Sequence, residues 1–357
     1  MKKKLSICIP TYNRQNFLAR LLDNCIKETT GIENLVEVCV SDNGSTDETE
    51  KILKAYSKKS RLIRYRRNKK NLGFESNLVS VLSMAKGEYC WIMGDDDIFL
   101  KDSIKEILSI IDLKNPDFII SEFKSSFQGD YINWKGNSEI KENSEIRKIF
   151  LDKFREISFI SSNIIKKNIF LDAKKNLPKN ANGFMHTLIQ FYSLNKIKKL
   201  FITQKTAVFD SSEGVFPTKK TALQIYLKTG NAAKEIFEKR LISKKEYDMI
   251  IERIYSEFFL HLIFYHFAIK EDGCSKEELE KIKNEIYNKF IKNTKNNNMK
   301  IRLSFLIIKS KFLLHIFKMG YFFIYVKIMN LFRKDKKQIA WKFWEKNKSA
   351  GGRRNYF

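Results

Sequence analysis

Three consecutive carboxylates stand directly after an apolar segment, in Trp91-Ile-Met-Gly-Asp-Asp-Asp97. Unpaired carboxylates are costly to bury, so this triplet needs either solvent or a countercharge. Mg²⁺ is typically held by one or two protein carboxylates, and phosphate and water complete its coordination. We therefore predict that Asp95 and Asp97 bind a divalent cation together with a diphosphate. An acidic cluster ahead of a helix at Ser103 is the structural alternative.

A second polar segment, Ser41-Asp-Asn-Gly-Ser-Thr-Asp47, follows another apolar run. The carboxylate of Asp42 could accept hydrogen bonds from a nucleobase N–H or a ribose hydroxyl. Gly44 permits a tight turn, and Ser45 suits the start of a helix. Taken alone, the segment also fits an ordinary strand–turn–helix connection.

A third polar segment is Asn68-Lys-Lys-Asn-Leu-Gly-Phe-Glu-Ser-Asn77. Gly73 allows close backbone approach to a ligand, and the amides of Asn71 and Asn77 are candidates for contacts with a nucleotide. The two lysines could add positive charge near phosphates, or they could form a solvated basic turn.

Alternating strand and helix patterns separate these segments. Strands joined by crossover helices require a mostly parallel sheet with helices on both faces. Ligands bind such sheets beyond the carboxyl ends of the strands, where Thr11, Asp42 and Asp95 fall. The predicted strands are Leu5–Ile9, Val36–Val40, Leu62–Tyr65, Tyr89–Met93 and Asp117–Ser121; the helices between them include Phe17–Cys25, one that starts in a capping box at Ser45–Glu48, Glu75–Ala85 and Ser103–Ile111.

The later part of the chain is less regular and then becomes helical. Residues 123–157 are polar, and from about Thr218 onward only helical patterns remain. We predict a short helix at Ser144–Phe154, a strand at Ser158–Ile165, a helix at Met185–Leu194, a strand at Leu200–Phe209, and capping boxes at Ser243–Glu246 and Ser275–Glu278.

Four motifs together resemble the family 2 glycosyltransferases in order and spacing, over residues 4–125. They are Pro10-Thr-Tyr-Asn-Arg14, Asp42-Asn-Gly-Ser-Thr-Asp47, Asn71-Leu-Gly73 with Asn77, and Gly94-Asp-Asp-Asp97. The resemblance implies a GT-A fold and the inverting transfer of a sugar from a nucleotide diphosphate. It implies a nucleotide site at Pro10, Thr11, Tyr12, Asp42, Asn71, Gly73 and Asn77, a Mn²⁺ or Mg²⁺ site at Asp95 and Asp97, and Asp96 nearer the donor sugar.

The general base is where the sequence departs from this family. Many members carry a Glu-Asp pair at the start of a later helix, where this chain has Asn182-Gly-Phe-Met-His186. His186 is the titratable side chain of that stretch and is our candidate base. Asp210 and Glu213 are the alternatives, and a histidine at a helix start is also often a capping or packing residue.

Charge is the unusual feature of the composition. Lys and Arg number 67 against 41 Asp and Glu, a formal net charge of +26. Such an excess suggests a polyanionic partner, although a compositional bias toward Lys, Asn and Ile could also produce it. In Ile301–Lys334 an apolar helical face is edged by Lys and Arg, which favours a helix lying in the surface of an acidic bilayer. Packing on the catalytic domain or on a dimer partner is the alternative.

These observations predict a division of the chain into three parts. Residues 1–217 would form the catalytic domain, with the nucleotide-sugar half at 1–125 and the acceptor half at 126–217. Residues 218–300 would form a helical region, and residues 301–357 a basic membrane-associating tail. Five cysteines without paired spacing favour a reducing cytosol, so we expect peripheral attachment to the cytoplasmic face of the inner membrane.

Similar bacterial sequences often build O-antigen, capsule or other surface glycans. By that analogy we expect a UDP-sugar donor and a glycan acceptor carried on a polyprenyl diphosphate or a lipid core. A nucleic-acid-binding protein is disfavoured because zinc spacing and RNP-like aromatic patterns are missing. A nucleotidyltransferase would open with a Gly-rich loop in place of Pro10–Arg14. A catalytically silent scaffold on the membrane remains the main alternative.

Overall fold

The computed structural model describes residues 2–125, 129–130, 136, 138–178, 184–210, 219–255 and 275–291. The chain divides into two compact units, Met1–Asn296 and Asn297–Phe357. The predicted membrane-surface helix at Ile301–Lys334 therefore lies outside the described residues, and so does Glu213. None of the helices in the described ranges is both long and apolar enough to cross a bilayer.

The first part of the chain alternates strands and helices, as predicted. Its elements are β1 (Leu5–Thr11), α1 (Gln15–Glu28), β2 (Val36–Asp42), α2 (Thr49–Lys59), β3 (Ile63–Arg67), α3 (Phe74–Met84), β4 (Tyr89–Ile92), β5 (Ile98–Phe99), α4 (Ser103–Lys114) and β6 (Phe118–Ser125). Strands β1, β2 and β4 are buried along their whole length, which explains why they read as continuous apolar runs.

The later elements are shorter until the helical region begins. They are β7 (Gly129–Asp130), β8 (Glu139–Ile140), α5 (Asn143–Asp152), α6 (Phe154–Ile157), a 3₁₀ turn (Ile160–Ser162), β9 (Asn163–Lys166), α7 (Lys167–Lys174), α8 (Met185–Ser193), a second 3₁₀ turn (Leu194–Lys196), β10 (Leu200–Asp210), α9 (Lys219–Glu238), α10 (244–255), α11 (Lys276–Ile286) and a π-helical turn (Tyr287–Ile291).

All ten strands belong to one sheet with the order β3-β2-β1-β4-β9-β6-β10-β5, and β7 and β8 pair with β6 and β10. The α/β prediction is confirmed: the sheet is mixed, and its longer ladders, of β1 with β2 and β4, of β2 with β3 and of β6 with β10, are parallel. Strand β9 lies between β4 and β6 and runs antiparallel to both, while β10 is parallel to β6. Strands β1, β4, β6 and β10 therefore all point their carboxyl ends to the same edge.

Two local predictions about helix starts had opposite outcomes. The capping box at Ser45–Glu48 is wrong, because α2 begins at Thr49 and the Thr49 N–H donates to Asp47 Oδ1 at 3.0 Å. The box at Ser243–Glu246 is confirmed. The Ser243 N–H donates to Glu246 Oε2 at 2.7 Å, and the Glu246 N–H donates to Ser243 Oγ at 3.3 Å.

Two strand predictions also need correction. Pro10 does not end β1, which continues to Thr11 with Pro10 opposite Ser41 of β2. Pairing of β1 with β4 stops at Cys8, so the missing N–H of Pro10 removes no bond on that side. In the segment predicted as a strand at Ser158–Ile165, only the end is extended; a 3₁₀ turn precedes β9.

Candidate active site

The predicted site residues meet at the carboxyl edge of β1, β2 and β4. Thr11 and Asp42 end their strands as register partners. The triplet Asp95–Asp97 follows β4, and the Thr11 hydroxyl donates to Asp95 Oδ2 at 2.7 Å. The loops after three neighbouring strands therefore form one polar surface, as the sequence predicts.

Arg14 supplies positive charge to the acidic triplet. Its Nη1 donates to Asp96 Oδ2 at 3.2 Å, and its Nε lies 3.9 Å from Asp95 Oδ1. Asp96 is the more exposed carboxylate of this pair, and its backbone carbonyl accepts a hydrogen bond from Arg20 at 3.1 Å. Burial, followed by the neighbouring charge of Asp96, raises the pKa of Asp95 to about 7, although Arg14 and the Thr11 hydroxyl act in the opposite direction.

Asp97 is held from the other side of the turn. Its Oδ2 accepts a hydrogen bond from the hydroxyl of Ser161, and the same hydroxyl accepts one from the Gly94 N–H at 2.8 Å. A Cβ atom at Gly94 would lie 2.8 Å from Asp97 Oδ2. The missing side chain at position 94 thus leaves room for the carboxylate of Asp97 to fold back over the turn. The sequence did not single out Ser161.

The donor set suits a hard divalent cation that also binds phosphate. Asp95 and Asp97 are both buried carboxylates, which disfavours leaving them without a countercharge. Within the described ranges, no group of three or more His, Cys, Asp and Glu side chains could hold a metal ion. The predicted pair Asp95 and Asp97 matches the one or two carboxylates that Mg²⁺ commonly takes when diphosphate and water complete its sphere.

Asp42 is enclosed by groups of its own chain. The side chain is 0% exposed; Oδ1 accepts from the Ser45 N–H at 2.9 Å, and Oδ2 accepts from Arg67 Nε at 3.1 Å. Arg67 also donates to the Ser45 carbonyl at 2.8 Å. A contact between Asp42 and a base or ribose remains a prediction, and it requires the groups that enclose this side chain to open.

Four asparagines tie the loops of this edge together. Asn43 donates to Asn71 Oδ1 at 2.8 Å, and Asn68 donates to Asn43 Oδ1 at 3.1 Å and to Asn77 Oδ1 at 3.1 Å. Gly44 approaches the same loop so closely that a Cβ atom there would lie 2.9 Å from the Lys70 carbonyl carbon. Asn71 and Asn77 were predicted as site residues, whereas Asn43 and Asn68 were not.

Asn77 lies at the centre of this network. Its Nδ2 donates to the Ser41 carbonyl at 2.8 Å and to the Thr11 carbonyl at 3.4 Å, while its Oδ1 accepts from the Ser41 hydroxyl at 2.7 Å. The side chain is buried. A direct contact with a nucleotide, predicted for Asn77, is not favoured by this geometry, because the amide is already used to join β1, β2 and α3.

The loop before α3 instead exposes apolar groups. Gly73 has φ +83° and precedes the first residue of α3. Its neighbours Leu72 and Phe74 are exposed, and so is Tyr12, which follows β1. Of the predicted nucleotide contacts, Tyr12, Asn71 and Gly73 are therefore the ones accessible to solvent.

His186 is buried at the start of α8, with 3% of its surface exposed. Its Nε2 lies 2.5 Å from the Ser158 carbonyl, so the neutral ring carries its proton there. Burial lowers the pKa of His186 to about 4, and the charge of Lys228 adds to that effect. Its Nδ1 has no hydrogen-bond partner among the described residues. The role of general base remains a prediction for this residue.

Comparison with known proteins agrees with the motif assignment. Residues 6–171 match the model of Glycosyl transferase family 2. Abequosyltransferase RfbV of Salmonella typhimurium is 28% identical over 269 residues, which cover 69% of this chain and 79% of that protein. The poly(ribitol-phosphate) beta-N-acetylglucosaminyltransferase TarP of Staphylococcus aureus is 24% identical over 253 residues, covering 68% and 75%.

Solved structures share the fold. S. aureus TarS 1–349 in complex with UDP-GlcNAc superposes with a TM-score of 0.61 at 16% identity, covering 89% of this chain and 92% of that one. The mannosyltransferase PcManGT from Pyrobaculum calidifontis, in complex with GDP-Man and Mn²⁺, gives a TM-score of 0.52 at 13% identity, covering 94% and 89%. At these identities the likeness establishes the fold, which is the predicted GT-A arrangement.

Proposed function

We propose that this protein transfers a sugar from a nucleotide diphosphate to a bacterial surface glycan. Its residues 6–171 match the family 2 glycosyltransferase domain. The observation that carries this proposal is the acidic turn at the carboxyl edge of the sheet. There Asp95 is bound to Thr11, Asp96 is paired with Arg14, and Asp97 is held by Ser161.

The donor is a nucleotide sugar, and UDP is the nucleotide we favour. TarS has been solved with UDP-GlcNAc and with UDP, and PcManGT with GDP-Man. Of the predicted nucleotide contacts in this chain, Tyr12, Asn71 and Gly73 are accessible to solvent. They would contact the nucleotide, while Pro10, Thr11 and Asp42 shape the floor below it.

The proposed reaction is a direct displacement at the anomeric carbon, with inversion. Asp95 and Asp97 would hold Mn²⁺ or Mg²⁺, which when bound neutralises the negative charge that develops on the departing nucleoside diphosphate. Asp96 would face the donor sugar, and Arg14, which already contacts Asp96, would restrict its orientation. Fixed charges of this kind act strongly because they are in place before the reaction begins.

A base must take the proton of the acceptor hydroxyl, and strand pairing supports Asp210 over His186. Strand β5 pairs with β10 so that Phe209 is opposite Ile98, and Asp210 and Asp97 are the next residues of the chain at the same end of this pair. His186 is 3% exposed, and its Nε2 is already bound to the Ser158 carbonyl, which keeps its ring away from an acceptor hydroxyl. Glu213 stays a candidate from the sequence alone.

Positive charge supports an anionic acceptor or carrier. From Arg61 to Phe74 the sequence contains six Arg and Lys residues and no acid. Arg66, Lys69 and Lys70 are exposed there, on the edge strand β3 and on the loop that leads to Gly73. A phosphate-bearing glycan, or one linked to polyprenyl diphosphate at the inner surface of an acidic membrane, fits this surface.

Release of nucleoside diphosphate tests the proposal. UDP-, GDP-, dTDP- and CDP-sugars would be incubated with the protein, Mn²⁺ and either poly(ribitol-phosphate) or a polyprenyl-diphosphate-linked sugar. We expect turnover of one donor class, a loss of about 10²–10⁴-fold in kcat for Asp210→Asn with donor binding kept, and less than about tenfold loss for His186→Gln. Metal-dependent nucleotide binding without turnover on any acceptor would instead indicate a silent scaffold.

A further inference from the structure

The 3₁₀ turn before β9 makes three contacts with the acidic segment through a single residue. The hydroxyl of Ser161 donates to Asp97 Oδ2 and accepts from the Gly94 N–H at 2.8 Å. Its carbonyl accepts a hydrogen bond from Trp91 Nε1 at 2.9 Å. A hydroxyl has only one proton to give. With the Gly94 N–H as a donor on one side, that proton is directed to the carboxylate of Asp97.

The turn that carries Ser161 is closed by the side chain of Asn163. Asn163 Nδ2 donates to three carbonyls in and just before the turn, those of Ile157 at 3.2 Å, Phe159 at 2.7 Å and Ile160 at 3.1 Å. Asn163 is itself buried. The shape of the turn thus depends on one amide that solvent does not reach.

Helix α8 braces the same turn from behind. Gln190 Nε2 donates to the Ile157 carbonyl at 2.8 Å and to Asn163 Oδ1. One helical turn earlier, His186 Nε2 donates to the Ser158 carbonyl at 2.5 Å. These two side chains are buried and stand at positions i and i+4, so they share one face of α8.

This arrangement carries a stability cost. Gln190 Oε1 and His186 Nδ1 have no hydrogen-bond partner among the described residues, and leaving a buried polar group unpaired destabilises the folded state. Apolar residues at both positions would avoid that cost but would release the Ile157 and Ser158 carbonyls. The hydrogen bonds of His186 and Gln190 to these two carbonyls therefore account for the polar side chains at both positions.

We propose that Ser161 is a positioning residue that fixes the carboxylate of Asp97 for the cation–diphosphate site, and that Asn163, Gln190 and His186 hold the turn that presents it. The inference rests on the proposed function and extends it to residues outside the four motifs. Groups that orient a metal ligand typically change metal affinity or activity by about 10–100-fold when they are removed.

The neighbouring Ser162 provides a matched control. It is as fully buried as Ser161, and its hydroxyl donates to the Phe159 carbonyl at 2.8 Å and accepts from Asn163 Nδ2 at 3.3 Å, so both of its contacts stay within the turn. Ser161→Ala and Ser162→Ala delete the same atom from adjacent buried positions. In the described contacts only the first deletion removes a hydrogen bond to Asp97.

The experiment is calorimetric titration of UDP in Mn²⁺ and in EDTA, together with Mn²⁺ binding followed by electron paramagnetic resonance at saturating UDP. We expect Ser161→Ala to weaken UDP binding in Mn²⁺ by about 10–100-fold, with no change in EDTA and with Mn²⁺ affinity reduced in parallel. Ser162→Ala should stay within about threefold of wild type in both conditions, since its hydroxyl does not touch Asp97.

Equal losses in the two alanine variants would overturn the inference, because the turn would then act only through stability. If Ser161→Ala does not fold, Ser161→Cys keeps the volume with a weaker donor and should give an intermediate loss of Mn²⁺-dependent binding. A Cys variant that binds like wild type would overturn it as well. Wild-type protein without any Mn²⁺-dependent nucleotide binding would contradict the proposed function and this inference together.

Discussion

The carboxyl edge of β1–β3 and helix α8 both bury polar side chains, but they satisfy them differently. At the edge, Asn43, Asn68 and Asn77 donate and accept within one network that joins three loops. On α8, polar atoms of four residues lack partners among the described residues; these residues are His186, Thr187, Gln190 and Ser193. The polar groups of the edge are therefore paired with one another, whereas α8 buries several unpaired polar atoms, and only His186 and Gln190 also bind the turn before β9.

The sharpest test of this comparison is Asn77→Ala. The substitution leaves the Ser41 hydroxyl and carbonyl and the Asn68 amide without their buried partner, so we expect a loss of about 3 kcal/mol in the free energy of unfolding. Urea unfolding measures it. Asn24→Ala is the control, since Asn24 exchanges two hydrogen bonds with the backbone of Phe99 in a half-buried position, and about 1 kcal/mol is expected. Equal losses of unfolding free energy in the two variants would show that the asparagine network stabilises the fold no more than an ordinary pair of hydrogen bonds.

A second test concerns the protonation of His186. Its pKa is about 4 in the folded protein, because burial disfavours the charged ring, and is near 6.5 when unfolded. The depressed value means that stability is fully present above pH 6.5 and is lost as the pH falls toward 4. The shift corresponds to about 2–3 kcal/mol at pH 4.5.

His186→Gln keeps a donor for the Ser158 carbonyl and removes the titration. We expect the wild type to lose about 2–3 kcal/mol more than this variant between pH 7 and pH 4.5, measured by urea unfolding at both values. Lys228, whose charge also acts on His186, is present in both proteins and affects both alike. An identical pH dependence in the two proteins would show that His186 is not buried as a neutral ring.

The smallest expected effect on stability comes from the ion pair of Arg147 and Glu246, whose groups, like the asparagines of the edge, are hydrogen-bonded to each other. Arg147 of α5 binds Glu246 with two hydrogen bonds of 2.7 and 2.9 Å and also donates to the Leu241 carbonyl at 3.0 Å. The Arg147 side chain lowers the pKa of Glu246 to about 2, so the contribution of the pair is present above about pH 4.3 and is lost as the pH falls toward 2.

Because this pair is partly exposed, we expect Arg147→Ala to cost only about 1 kcal/mol at pH 7. Lys234→Ala is the control, since it breaks the exposed pair of Lys234 with Glu238 within α9, and less than about 0.5 kcal/mol is expected. Urea unfolding of both variants compares them. A larger loss for Lys234→Ala than for Arg147→Ala would contradict the role given to the bidentate geometry.

The carboxyl edge of the sheet could be predicted from the sequence because each motif there is a short continuous segment. Parallel strands end at a common edge, so Thr11, Asp42 and Asp95 could be brought together from three short motifs. The roles of Asp42 and Asn77 were harder to predict, because Arg67 and Ser41 reach them through tertiary contacts. The capping box at Ser45 failed for the same reason: Ser45 is used by Asp42 and by the Asn13 N–H.

The hydrogen bonds from His186 and Gln190 of α8 to the turn before β9 could not be predicted from the sequence pattern. The start of the helix at Met185 was predicted, and His186 stood out as titratable within it. What decides its surroundings is the burial of almost the whole helix and the return of the chain through Ser158–Ser162, which joins residues far apart in the sequence. Ser161 and Gln190 carry no motif and become visible only through their contacts.

The central claim is that the turn at Asp95–Asp97 binds a nucleoside diphosphate through a divalent cation. Its most direct test is calorimetric binding of UDP, GDP, dTDP and CDP to wild type and Asp97→Asn, each with Mn²⁺ and with EDTA. The account predicts that wild type binds one nucleotide only when Mn²⁺ is present and that Asp97→Asn loses this binding while remaining folded. Binding of the same strength in EDTA, or no binding of any nucleotide by folded wild-type protein, would contradict it.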